Sequence, residues 1–120
     1  VERLDDHIMH TESYRVDSTV FERVNDAARV IAVGTTSTRA LESAATTHRL
    51  EGRTNLFIRP GYDWKVVDLL LTNFHQPRTT LLVMIEAFVG LRWRRLYEEA
   101  IDECYRMLSF GDAMLLNRHR

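Results

Sequence analysis

The chain has 120 residues, a formal net charge of −1, and 45% hydrophobic and 28% charged residues. That is the size and balance of one globular domain with a single core, and near-neutrality argues against nonspecific nucleic-acid binding. No apolar run reaches the roughly 18–20 residues that cross a bilayer, no segment reads as a signal peptide, and the single cysteine, Cys104, excludes an internal disulfide and fits a reducing compartment.

The opening VERLDDHIMH lacks an initiator Met and begins inside an alternating pattern, so the expectation is a fragment or a processed chain. There are no repeats, low-complexity segments or linker-like clusters, so residues 1–120 read as one unit. Asp17 or Ser18 can cap a helix with Val20, Phe21, Val24, Ala27 and Ala28 at helical spacing. RVIAV at 29–33 is a short strand rich in β-branched residues. GTTST at 34–38 leads into a helix to about Ala45. NLFIR at 55–59 predicts a strand ended by the turn signal Pro60-Gly61. KVVDLLLTNF at 65–74 predicts another strand, broken near Asp68. Thr79 or Thr80 caps a helix that stops at Gly90. A second helix is expected over about 92–108, with Trp93, Leu96, Tyr97, Ala100, Ile101, Cys104, Tyr105 and Leu108 as its apolar stripe. A turn at 109–112 precedes a last strand at 113–116.

Strands alternating with helices predict an α/β fold with a mainly parallel sheet and flanking helices. In such sheets ligands bind beyond the carboxyl ends of the strands. Two segments leave strands there, GTTSTR at 34–39 and TNFHQPRTT at 72–80. SFGD at 109–112 joins a helix to a following strand and is expected on the opposite edge.

In GTTSTR, Gly34 permits a tight turn. Thr35, Thr36 and Ser37 then offer hydroxyls beside the free N–H groups of a helix start, an anion site for phosphate or carboxylate. Arg39 can add a bidentate contact. The P-loop Gly-Lys pair is missing, and a plain N-cap without ligand is the commoner reading of such residues. In TNFHQP, His75 follows a buried strand and titrates near neutrality, which suits a general acid or base. Asn73 can recognise an amide-like group through paired donor and acceptor. An ordinary polar loop with an Asx-turn explains the same residues equally well.

Other clusters favour structural readings. His7, His10 and Glu12 match no metal-ligand spacing. Arg92, Arg94 and Arg95 around Trp93 can touch RNA, but Trp93 belongs to the apolar stripe and Arg95 can pair with Glu99. Gly111 and Asp112 read as a helix stop and turn.

Taken together, DHIMHTE, VIAVGTTSTRALESAA, FIRPGYDWKVVD, LLTNFHQPRTTLL and YRMLSFGDAMLL resemble, in order, the C-terminal signatures of the S-adenosylmethionine:tRNA ribosyltransferase-isomerases of queuosine biosynthesis. The resemblance covers about the last third of a full family member. It departs at Thr38, at the HQPRTT string and at Glu86 and Val89, and none of these changes removes Thr36, Arg39, Asn73 or His75.

The resemblance implies that the chain is the C-terminal part of a larger α/β barrel-like domain, located in the cytoplasm. It implies transfer and isomerisation of the ribosyl group of S-adenosylmethionine onto 7-aminomethyl-7-deazaguanine in tRNA, giving epoxyqueuosine. S-adenosylmethionine is then a co-substrate, and neither a true cofactor nor a metal is expected. His75 and Asn73 become catalytic candidates. Thr35, Thr36, Ser37, Arg39 and Thr72, with Lys65 and Asp68 behind them, become substrate-binding candidates. The partners implied are precursor tRNA and the N-terminal portion of the family fold or a second copy, with no membrane. Two alternatives are a truncated noncatalytic fragment that binds tRNA or a complementary subunit, and a folding remnant whose apolar edge self-associates.

Overall fold

The computed structural model describes residues 11–75, 79–106 and 111–118. In chain order the elements are β1 (Glu12–Arg15), α1 (Ser18–Asp26), β2 (Ile31–Val33), α2 (Thr35–Thr47), β3 (Glu51–Thr54), β4 (Leu69–Asn73), α3 (Thr80–Val89), α4 (Arg92–Asp102) and β5 (Ala113–Asn117). The α/β class expected from the sequence is observed, but the sheet is not mainly parallel: among the described strands only the β2–β4 pairing is parallel, while β1–β3 and β4–β5 are antiparallel.

Helix ends follow their capping residues. The Asp17 side chain accepts from the Thr19 N–H at 2.9 Å and starts α1. The Thr79 hydroxyl accepts from the Leu82 N–H at 3.2 Å and starts α3, which stops at Gly90. The helix expected over 92–108 ends earlier, at Asp102. Cys104 takes a left-handed conformation with φ 61°. The Tyr105 N–H then reaches the Ala100 carbonyl at 2.8 Å and the Cys104 N–H the Ile101 carbonyl at 3.1 Å. That pairing is a Schellman stop, with Cys104 in the place usually held by Gly. Leu108 and the 109–110 part of the expected turn lie outside the described residues.

The strand expected at 55–59 is instead β3, at Glu51–Thr54. EGRT has little strand character of its own; pairing antiparallel with β1, Tyr14 opposite Gly52, holds it extended. Ile58 is fully buried although its segment is irregular.

The second sheet has the order β2-β4-β5. β2 and β4 run parallel, Ala32 opposite Leu70, as the sequence predicts. β5 runs antiparallel to β4, with Ala113 opposite Asn73. Alternation sends Ala32, Leu70, Thr72, Met114 and Leu116 to one face, where α3 and α4 contribute Ile85, Phe88, Val89, Tyr97 and Ala100 to the main core. The other face carries Val33, Leu71 and Leu115 in register, with Val33 63% and Leu115 59% exposed. A second, smaller core of Tyr14, Val16 and Ala44 joins β1 to α2, and Leu41 packs against both cores.

Candidate functional site

The parallel pairing brings the two strand exits together. The Gly34 N–H donates to the Leu71 carbonyl at 2.8 Å, so the first turn of α2 starts beside the last residues of β4. Gly34 sits at φ 90°, ψ 157° and makes no side-chain cap. Such a conformation is costly for any residue with a Cβ. The Thr38 hydroxyl turns back onto the Gly34 carbonyl at 2.9 Å and is buried. Thr36 and Ser37 are exposed and Thr35 is half-buried on the opening turn. The first N–H groups of a helix have no intrahelical partner, and the helix dipole favours an anion there.

On the neighbouring exit, His75 is held at two points. Its Nε2 lies 2.9 Å from the Thr72 hydroxyl, and its backbone N–H donates to the Tyr97 hydroxyl at 2.7 Å. Phe74 is buried against Tyr97, ring centroids 5.3 Å apart in an edge-to-face arrangement. Burial pulls the His75 pKa below its ordinary value, because a half-buried imidazolium loses hydration. The Asn73 amide donates to the Asp112 carbonyl at 3.4 Å.

That contact corrects one expectation. The 109–112 turn was expected on the opposite edge of the sheet. Because β5 is antiparallel to β4, Asp112 instead lies at the same edge as Asn73. The Asp112 carboxylate accepts from the Arg106 backbone N–H and so ties the segment that follows α4 to the start of β5.

Three other candidates are engaged elsewhere. Arg39 is largely buried. Its two terminal nitrogens donate to the Glu12 carboxylate at 2.8 Å and to the Leu56 carbonyl at 3.2 Å. It acts as a strut between β1 and the 55–60 segment rather than extending the helix-start anion site. Asp68 precedes β4 and lies at the opposite strand end from Asn73. Its carboxylate accepts from the Val30 N–H at 2.9 Å and faces Arg118 at 3.6 Å. The Lys65 ammonium is held by Asp63 at 3.0 Å and lies 5.7 Å from the Tyr62 ring centre.

The nucleic-acid reading of the 92–95 arginines gains nothing. Trp93 donates to Glu86 at 2.8 Å and packs edge-to-face on Tyr97, while Arg92 is bonded to the Val89 and Asn117 carbonyls. His7 and His10 lie outside the described residues. A cavity of about 380 Å³ opens between α4 and β5, lined by Phe74, Leu96, Ala100, Tyr105 and Met114 but by none of Thr36, Ser37 or His75.

Sequence reasoning missed two residues that shape this region. Glu42 is fully buried in α2, and its carboxylate collects the Tyr62 hydroxyl and the backbone N–H groups of Lys65, Val66 and Val67. The available signal was its spacing: Glu42 follows the buried Thr38 by one helical turn. Tyr97 reads as an ordinary member of an apolar stripe, and nothing in spacing reveals that its hydroxyl receives the His75 N–H.

A family profile described as "Queuosine biosynthesis protein" matches residues 1–116. The chain belongs to this family. Within the queuosine biosynthesis family, it is 53% identical over 116 residues to the S-adenosylmethionine:tRNA ribosyltransferase-isomerase of Rubrobacter xylanophilus, covering 96% of this chain and 35% of the relative. It is 48% identical over 122 residues to the protein of the same name from Polynucleobacter asymbioticus, covering 98% of this chain and 35% of that one. The crystal structure of S-adenosylmethionine tRNA ribosyltransferase from Thermotoga maritima superposes with a TM-score of 0.81 at 41% identity, covering 86% of this chain and 40% of that one. The chain thus spans about a third of the length of the curated relatives it matches. Among the described residues no helix is long and apolar enough to cross a membrane.

Proposed function

We propose that this chain supplies one edge of the active site of a cytoplasmic S-adenosylmethionine:tRNA ribosyltransferase-isomerase. The observation that carries the proposal is the 53% identity to a relative of that name, running along 96% of the chain. One adjacency in the structure supports this reading. The α2 start at Thr35, Thr36 and Ser37 lies beside the β4 exit that bears Thr72, Asn73 and His75.

The reaction makes three demands. A hydrogen next to the sulfonium must be removed, the departing adenine must be stabilised, and the methionine carboxylate needs a partner. In this proposal the α2 start receives the carboxylate or a phosphate. Thr72 and Asn73 orient the reacting groups, and His75 works as acid, base or hydrogen-bond donor. Precursor tRNA is the acceptor, S-adenosylmethionine the ribosyl donor, and no further cofactor is invoked.

The test is transfer of label from ribosyl-labelled S-adenosylmethionine to precursor tRNA by this chain, alone and mixed with the remaining two thirds of a full-length relative. Label transferred by the mixture, and lost with His75→Gln, supports the proposal. An inactive mixture in which the two parts demonstrably bind each other counts against it.

A second reading is favoured by one observation, the exposed Val33 and Leu115 on the open sheet face. Under it the chain is a noncatalytic fragment that binds a complementary subunit or tRNA. Binding without label transfer is its expected signature.

A further inference from the structure

We propose that the Thr72 hydroxyl fixes the His75 imidazole as its Nδ1–H tautomer, so that His75 meets its ligand as a hydrogen-bond donor through Nδ1 and not as a base through Nε2. This rests on the placement of His75 in the site proposed above.

Thr72 is only 5% exposed, and its Oγ1 lies 2.9 Å from His75 Nε2. Among the described residues its hydroxyl has no other hydrogen-bond partner. If Oγ1 merely accepted from an Nε2–H, its own O–H would stay buried and unpaired. A buried donor without an acceptor is costly, whereas a spare lone pair on oxygen costs less. The hydroxyl therefore donates, Nε2 accepts, and the single proton of the neutral ring sits on Nδ1.

Two further features hold this arrangement. The His75 main chain is pinned by its 2.7 Å bond to the Tyr97 hydroxyl. Tyr97 is itself packed edge-to-face against Phe74 and Trp93, at 5.3 Å and 5.6 Å between centroids, so the peptide from which the imidazole projects has little freedom. Burial also favours the neutral ring, the form in which the tautomer matters.

The tautomer limits the ligand. A neutral Nδ1–H pairs with an acceptor atom that carries no proton, such as a carboxylate, carbonyl or ring-nitrogen lone pair of the co-substrate. Removal of the hydrogen beside the sulfonium then falls to another group.

The experiment is long-range nitrogen–proton correlation NMR on this chain with ¹⁵N-labelled histidine, at a pH where the ring is neutral. His75 is assigned by the signal lost in His75→Gln. The expected wild-type spectrum has Nδ1 in the protonated, pyrrole-type region and Nε2 in the unprotonated, pyridine-type region. Thr72→Val keeps the side-chain shape without the hydroxyl and is expected to move the ring toward the Nε2–H tautomer; Thr72→Ser is expected to retain Nδ1–H. A protonated Nε2 in the neutral wild-type ring overturns the proposal, as does a Thr72→Val spectrum identical to wild type. An Nδ1–H ring together with unimpaired label transfer by His75→Gln leaves the tautomer standing and removes His75 from the reaction, so the two failures are distinct.

Discussion

The Glu42 carboxylate lies 2.7 Å from the Tyr62 hydroxyl and, through the same two oxygens, accepts the backbone N–H groups of Lys65 at 2.9 Å, Val66 at 2.9 Å and Val67 at 3.0 Å. Four donors converge on one buried acidic side chain. α2 thereby dictates the path of the irregular 62–67 segment that delivers the chain into β4. Glu42→Gln places an NH2 group where only donors point, leaving at least one buried polar group unpaired. The expected loss is about 3 kcal/mol or more, read as a lower urea midpoint. A midpoint within error of wild type refutes this role.

His75 gives stability a pH dependence of defined sign. Its folded pKa lies below the ordinary histidine value of 6.5 because burial disfavours the charged ring. The unfolded chain therefore binds more protons as pH falls below about 6.5, and stability drops over that range until the folded ring also titrates. Urea midpoints at pH 7.5 and 5.5 in wild type and His75→Gln isolate the contribution. The variant is expected to lose less stability on acidification. An equal or greater loss contradicts the assignment.

Arg39 and Glu12 are joined by an ion pair, yet their contributions are unequal. Glu12 is 60% exposed and Arg39 only 11%. A solvated partner contributes about 0–1 kcal/mol, so Glu12→Gln is expected to change stability little. Arg39→Ala also removes the bond to the Leu56 carbonyl, and a charged hydrogen bond of this kind contributes about 1.5–3 kcal/mol. Equal effects of the two substitutions in urea unfolding run against this partition.

Gly34→Ala tests the turn between β2 and α2. Nothing lies within 4 Å of a Cβ built there, so no clash is introduced. The cost is conformational: φ 90° with ψ 157° is strained for any L side chain, by about 1–3 kcal/mol. A thermal midpoint unchanged from wild type argues against this backbone geometry.

Much of the scaffold was legible in the sequence where a local signal coincided with the fold. Thr79 and Gly90 bracket α3, Asp17 caps α1, and the apolar run at 69–71 forms the centre of the sheet. The adjacency of the two candidate loops was legible for the same reason, since β2 and β4 are parallel and both lead onward to helices. What remained hidden depends on partners distant in sequence. β3 is extended because β1 pairs with it, not because EGRT favours a strand. The direction of β5 is set by tertiary pairing, and it moved Asp112 to the edge of Asn73. Arg39 looked available because Glu12 and the Leu56 carbonyl lie far from it in sequence. The convergence of donors on Glu42 leaves no mark beyond an acidic residue one turn after Thr38.

The reversed last strand also bears on how the protein acquires its shape. Val30 and Asp68, which lock the start of β4, are 38 residues apart, and Asn73 and Asp112 are 39 apart. Helices α1 to α4 can form from local contacts in microseconds, but these closures require long loops to find their ends. A collapsed chain can therefore be rich in helix and still lack the edge that joins Gly34 to Leu71 and Asn73 to Asp112. During refolding, far-UV dichroism is expected to recover ahead of any signal from the His75 ring.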